Sequence, residues 1–299
     1  PKKSARHLLT KKRMKFKFIH KYQNLYSVRR MCKLLEVSAS GYYAWKRRAD
    51  KQDEQDAEDT KLIKAEFENS LQTYGGRRIQ IALERQGIHL SRRRINILMK
   101  KARLVARKQA KWHPQTTNQD KRNRVEPNLL GQDFRASSPN QKWVTDITYI
   151  DTKEGWYYLA AVLDLYSRSI VGWGMSATID RALVISALQM ALSRRRPGKG
   201  LLHHSDRGSQ YTSDDYLDEL EKAGCQISMS RTGNCYDNAA MESFFSTLKT
   251  EQVYYRFESR KEARSKIFWY IESWYNRSRI HSSLGYLSPL EFERQSRQL

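Results

Sequence analysis

In the first hundred residues apolar side chains recur at helical spacing, but only in short runs. Val28, Met31, Leu34 and Leu35 share one face of YSVRRMCKLLEV, and the hydroxyls of Ser38 and Ser40 can cap a second short helix through SGYYAW, so a helix, a tight turn and a helix are expected. Such a unit serves either as a DNA-reading helix-turn-helix or as a small packing element. Further on, Ile79, Ile81 and Leu83 mark a helix closed by Gly87, and Ile95, Leu98 and Met99 mark another that opens at Ser91. Arg92, Arg93 and Arg94 crowd the first turn of that last helix. Positive charge there opposes the helix dipole at a small cost, and an adjacent phosphate backbone would give it a purpose. Three polar stretches interrupt the pattern. Residues 1–20 read as a tail or the end of an upstream helix, and DKQDEQDAED at 50–59 as a linker or the solvated start of a helix carrying Leu62, Ile63 and Phe67. Residues 106–136 read as a mostly extended basic linker able to track phosphates.

From residue 141 the texture changes. KWVTDITYIDT, GWYYLAAVLDLY and RSIVGWGMS are rich in β-branched and aromatic residues and joined by short turn-capable pieces, which predicts an antiparallel meander of three strands. A helical run over 181–193, the short strand LLHHS, a helix around 213–223, the strand CQISMS and long helical stretches from about Asn238 follow. That order predicts a mixed sheet flanked by helices, an α/β domain preceded by small all-α units. The expected divisions are 1–50, a basic segment with a helix-turn-helix-like unit; 51–105, a second helical DNA-binding unit; 106–136, the linker; and 137–299, the sheet domain with a helical tail. In the tail Ile267, Phe268, Ile271, Trp274 and Tyr275 form a core stripe, and Arg277, Arg279 and His281 beyond it are expected to be exposed to DNA.

Charge sharpens this division. The 299 residues hold 55 Lys and Arg against 32 Asp and Glu, a formal +23. Residues 1–136 hold 34 against 13 and residues 137–299 hold 21 against 19, so the basicity belongs to the helical half. A strongly basic segment beside a nearly neutral one is the footprint of a nucleic-acid grip. A membrane is the competing anionic partner, but there is no lipidation motif and no apolar run of about 18 residues. Cys32, Cys225 and Cys235 form no CxxC pair and fit a reducing cytosol, and no signal peptide opens the chain. A cytoplasmic protein, nucleoid-associated when on DNA, is expected. The first residue, Pro rather than Met, leads to the expectation of upstream material.

Three carboxylates then change the picture. Asp146 lies inside the first strand run, Asp206 just past LLHHS, and Glu242 within the helical NAAMESFFSTLK. A residue that follows a parallel strand sits where open α/β sheets bind ligands, which suits Asp206. Asp146 between Val144 and Ile147 either needs a partner to offset desolvation or points to the solvent face, which the alternation of the strand also permits. Brought together, the three would form a cluster of hard oxygen ligands for Mg²⁺. Lys249, two helical turns after Glu242, lies on the same helix face, as a DNA contact or a solvated lysine. Asn238, one turn before Glu242, is expected to cap the helix or touch substrate. Asp164 reads as structural, and His203 and His204 as strand packing.

Between Asp206 and Glu242 stand 35 residues. With that interval the sequence resembles the DDE transposases and retroviral integrases, and more closely the insertion-sequence transposases made by frameshift fusion of OrfA and OrfB, the family commonly numbered three. NQKWVTDITYI, GWYYLAAVLDLYSRSIVGW, HSDRGSQY, MSRTGNCYDNAAMESFFSTLKTE and YNRSRIHSSLGYLSPLEFE carry the resemblance, which extends to SGYYAW and YGGRRI and so covers nearly the whole chain. It implies an RNase H-like catalytic core in which Asp146, Asp206 and Glu242 hold two Mg²⁺ ions, with Mn²⁺ able to substitute. Lys249 stands where integrase-like proteins carry a basic residue and is expected to touch DNA; Asn238, Arg77, Arg78, Arg92, Arg93 and Arg94 are further expected DNA contacts from their own placement. The implied activity is copy-out and paste-in transposition of double-stranded DNA between terminal inverted repeats and a target, by at least a dimer. Full-length members carry a further helix-turn-helix and coiled coil, and the Lys11-Lys12 region is where the fusion seam is expected. A structure-specific nuclease of the same fold and a catalytically inert DNA-binding regulator are the alternatives.

Overall fold

The computed structural model describes residues 11–107, 124–231 and 235–296; the expectations for residues 1–10 and for most of the basic linker fall outside them. At the N-terminus stand α1 (Lys12–Tyr22), α2 (Val28–Leu34) and α3 (Ala39–Asn69). Phe16, Ile19, Met31, Cys32 and Tyr42 form one core among them. Residues 12–20, read as a tail or the end of a helix, are helical. Two buried anchors on one face, Phe16 and Ile19, suffice because packing rather than propensity stabilises most short helices.

The acidic stretch at 50–59 is likewise no linker, since α3 runs unbroken through the expected boundary at residue 50. Its acids form a docking edge for α5 (Arg92–Lys101): Arg94 pairs with Asp59 and, at 3.1 Å, with Asp56, and Lys101 reaches Asp56 at 2.6 Å. Ser91 caps α5, its hydroxyl accepting from the Arg94 amide at 3.2 Å, as its sequence position predicts.

The chain divides into two units, one of residues up to Glu66 with Ala82–Leu104, the other of Phe67–Ile81 with Val105–Leu299. The division runs through α4 (Gly76–Glu84). Tyr74, which falls inside the expected 51–105 unit, is built into the second unit: its hydroxyl accepts from the Ile280 amide at 2.7 Å, and its ring lies 5.9 Å from that of Trp274. The described end of the expected linker also belongs there, with the amides of Leu129 and Leu130 donating to Ser228 Oγ at 2.9 and 3.1 Å.

In the second unit β1 (Lys142–Thr152), β2 (Gly155–Asp164) and β3 (Ile170–Ser176) form the predicted antiparallel meander. β4 (Leu202–Ser205) and β5 (Gln226–Met229) add parallel strands on the far side of β1, giving the order β3-β2-β1-β4-β5. Odd-numbered β1 residues face α6 (Arg181–Arg195) and α7 (Asp214–Lys222) across a core of Trp143, Val162, Val171, Leu188 and Tyr216. α6 packs close to β3 because Gly172 and Gly174 present no side chain to it. Even-numbered β1 residues, Asp146 among them, face the other way. α8 (Ala239–Glu251), α9 (Arg260–Trp269), a π-helical turn over Tyr270–Tyr275 and α10 (Pro289–Ser296) complete the domain. Among the described residues no helix is long and apolar enough to cross a membrane.

Candidate active site

The register of the parallel strands brings two of the acids together. Val144 of β1 is paired with His204 of β4. Asp146 and Asp206 each lie two residues beyond that pair, Asp146 within β1 and Asp206 just past the end of β4, and the charge of Asp206 is felt at Asp146. Glu242 comes from the first turn of α8 and is exposed. The head of that helix is tied to the same strand, because Asn238 donates its Nδ2 to the Thr145 carbonyl at 3.3 Å.

Charge shows that the three acids and Lys249 face a common space. The Asp146 carboxyl is pushed well above the usual carboxylate range, first by burial and then by the charges of Asp206 and Glu242; the Ile147 amide and Lys249 act in the opposite sense. Burial also raises Asp206, against the Gly208 amide that donates to its Oδ1 at 2.9 Å. Burial lowers the Lys249 ammonium, and Asp146 pulls it back. Among the described residues no three carboxylate, imidazole or thiol groups are drawn together tightly enough to make a ready metal cage.

The surrounding side chains hold this geometry. Thr145 Oγ1 donates to the Ala161 carbonyl at 2.9 Å and meets the Tyr211 hydroxyl at 3.3 Å, locking β1 beside Asp146. A Cβ at Gly208 would stand 3.0 Å from Asp206 Oδ1 and 3.1 Å from Gln210 Oε1, so any larger residue crowds that carboxylate. His204 is stitched to Ser228 at 2.8 Å and Ser230 at 3.0 Å, and His203 to Tyr216 at 3.3 Å; burial depresses both imidazoles, to about 4 and about 3, so they pack the strand as neutral rings. Asp164 is structural, accepting from the amides of Asn140 and Tyr166 at 2.8 and 2.9 Å.

Asp237 is a residue the sequence reading missed. Wholly buried, it accepts from Asn128, Gln132 and the backbone and guanidinium of Arg231, at 2.8–3.2 Å, and so anchors the lead-in to α8. The Arg231 contact holds its carboxyl far below the usual range. Its signal in the sequence was its place, five residues before Glu242, but its partners lie up to 109 residues away.

The expected DNA contacts separate into groups. Asn238 makes no side-chain capping bond and is buried, tied to β1 instead. Arg94 is held by Asp56 and Asp59, whereas Arg92, Arg93 and Lys100 share the exposed side of α5 with Asn96 and Ile97. Arg77 is exposed, its guanidinium 5.2 Å from the ring of Tyr286, and Arg78 is half-buried over Tyr74. In the tail only Arg277 is exposed. Arg279 and His281, expected at the surface, are buried, because Glu251 accepts two bonds from Arg279 Nε, at 2.9 and 3.0 Å, and draws the guanidinium inward.

Comparison with known proteins follows the same division. Two family models described as "Integrase core domain" match residues 136–235 and 223–289; one described as "HTH-like domain" matches 54–112, and one described as "Transposase" matches 11–71. An "Insertion element IS600 uncharacterized 31 kDa protein" of Shigella sonnei is 46% identical over 271 residues, 90% of this chain and 99% of the relative. The "Transposase InsF for insertion sequence IS3A" of Escherichia coli (strain K12) is 42% identical over 288 residues, 95% of this chain and 99% of the relative. Among solved structures, a simian T-cell lymphotropic virus intasome chain covers 72% of this chain and 70% of its own, at 16% identity and a TM-score of 0.45.

Proposed function

Because this chain belongs to the IS3 family of insertion-sequence transposases, we propose that it cuts and joins DNA at the terminal inverted repeats of its own element, with Asp146, Asp206 and Glu242 as ligands for divalent cations. The observation that carries this reading is that Asp146 and Asp206 each follow the paired Val144 and His204 by two residues, and that the charge of Asp206 raises the Asp146 carboxyl. Two half-buried aspartates side by side, both with raised carboxyls, concentrate negative charge that a hard divalent cation would offset. The donors fit by chemistry and charge rather than as a closed cage, since Glu242 stands exposed on a separate helix.

Two bound Mg²⁺ ions, or Mn²⁺ in their place, stabilise charge on the attacking and leaving oxygens of a phosphodiester. The chain's own part is positional. β1 and the segment just after β4 carry two carboxylates, Asn238 and Asp237 fix the start of the helix that brings the third, and Lys249 offers a cation to the strand beside the scissile phosphate. No side-chain nucleophile is required, because water and then a DNA 3′-hydroxyl attack. The basic helical part grips DNA through the exposed side of α5, with Arg92, Arg93 and Lys100. Copy-out and paste-in transposition needs both element ends held together, so the working form on DNA is at least a dimer.

The test is to incubate purified protein with Mg²⁺ and labelled end DNA, wild type beside Asp206→Ala. Wild type cleaves and joins, and the variant binds but does neither. Cleavage without joined product would favour a nuclease, and binding without cleavage by wild type a regulator.

A further inference from the structure

The YNRSRIH stretch of the tail has a structural consequence that the catalytic acids do not use. Behind α8 lies a cleft of about 390 Å³, within the ~300–1,000 Å³ span of small-ligand sites. Its lining includes Arg78, Arg168, Arg279, His281, Ser243 and Thr247. Arg279 is neutralised by Glu251, which also accepts from Tyr270 at 2.9 Å and Trp274 at 3.2 Å and so has no capacity to spare. The other two guanidiniums lack such a partner. Among the described residues neither Arg78 nor Arg168 makes a salt bridge, and the nearest acid to Arg168 in its turn, Asp164, is occupied by two backbone amides. Burial lowers both arginines; burial first, and then the three guanidiniums that line the same cleft, depress His281. Arg168 also holds a φ of +62°, a left-handed conformation that suits glycine better than a long side chain. Half-buried guanidiniums without a salt bridge are partly desolvated, and an anionic ligand would offset that cost.

The geometry points to an anion site, and we infer that it takes a backbone phosphate of the DNA bound at the catalytic acids. Arginine forks match phosphate oxygens, and the hydroxyl of Ser243, on the cleft wall, adds a further donor, while Thr247 donates its own proton to the Ser243 carbonyl. The wall of the cleft is α8 itself, with Ser243 and Thr247 roughly a third of a helical turn from the side bearing Glu242 and Lys249. A strand leaving the acids round this helix passes the cleft. The inference rests on the transposase reading for its ligand, DNA.

The experiment is phosphate-ethylation interference on end DNA with the full chain, wild type beside Arg168→Gly, Arg168→Lys and Arg78→Gln. Glycine suits the left-handed turn, so Arg168→Gly removes the charge and keeps the fold, which a thermal melt checks. Arg168→Gly and Arg78→Gln each lose the same one or two phosphates from the footprint, and each lowers the slope of log affinity against log salt by about one; Arg168→Lys restores much of both. A full wild-type footprint and slope in both loss variants, or losses at unrelated phosphates, overturns the site. A wild type that binds DNA but never cleaves it sinks the transposase reading while the footprint still decides the cleft.

Discussion

Asp206 keeps its place because its neighbour two residues on is glycine, which both donates an amide to it and leaves it room. Gly208→Ala crowds the carboxylate and the Gln210 side chain; cleavage falls about 10–100-fold while DNA binding holds, the magnitude usual for disturbing a group that orients a metal ligand. Parallel cleavage and gel-shift assays check it, and equal loss of both would refute a local effect. Asp237 is the second such residue, and its pH dependence has a definite sign. Its carboxyl is lower in the folded protein than the ordinary value of about 3.9, so its stabilisation is complete above about pH 4 and disappears as the pH falls toward the depressed folded value. Denaturant unfolding of wild type and Asp237→Asn therefore shows a stability gap at neutral pH that narrows below about pH 4.

Between elements, close approach and ion pairing do what apolar periodicity does not reveal. A Cβ on Gly172 runs into the carbonyl of Ala187 and stands 2.7 Å from the backbone nitrogen of Ala191, whereas one on Gly174 first meets Ser186 Oγ, which can turn aside. Gly172→Ala therefore costs about 3 kcal/mol and Gly174→Ala less, near the low end of overpacking penalties; unfolding midpoints in the reverse order would contradict this packing of α6 on β3. On the docking edge of α3, Arg94→Ala leaves Asp59 buried without its cation and destabilises by about 2–4 kcal/mol. Arg92→Ala, on the exposed side of the same helix, weakens DNA binding instead. Melting curves and affinities of the two variants should thus move in opposite columns.

At the scale of the whole molecule, the helical residues and linker carry nearly all of the net +23 while the sheet domain holds the acids. Binding is expected to fall steeply with salt through counterion release, by about a thousandfold or more between roughly 50 and 200 mM if six or more phosphates are met. Titrations at graded salt measure it, and a nearly flat response would remove the phosphate role from the basic half. Chelation of divalent cations should leave that binding intact while ending cleavage.

The sequence by itself determined the antiparallel meander and the succession of strands and helices that follows, and it singled out the three acids as candidates, because those readings rest on local periodicity and on motifs whose spacing survives in one dimension. It also carried the family. Only the tertiary structure decided which polar residues act locally and which act at a distance. Asp50–Asp59 looked like a linker because a helix face that docks through ion pairs has no apolar stripe. Arg94, Arg279 and His281 looked exposed because their counter-charges or covering elements lie elsewhere in the chain: Asp59 for Arg94, Glu251 for Arg279. Asp146 and Asp206 come near each other because β1 and β4 pair in parallel just before them, a relation between segments about sixty residues apart that hydrogen bonds across the sheet, not neighbours along the chain, bring about.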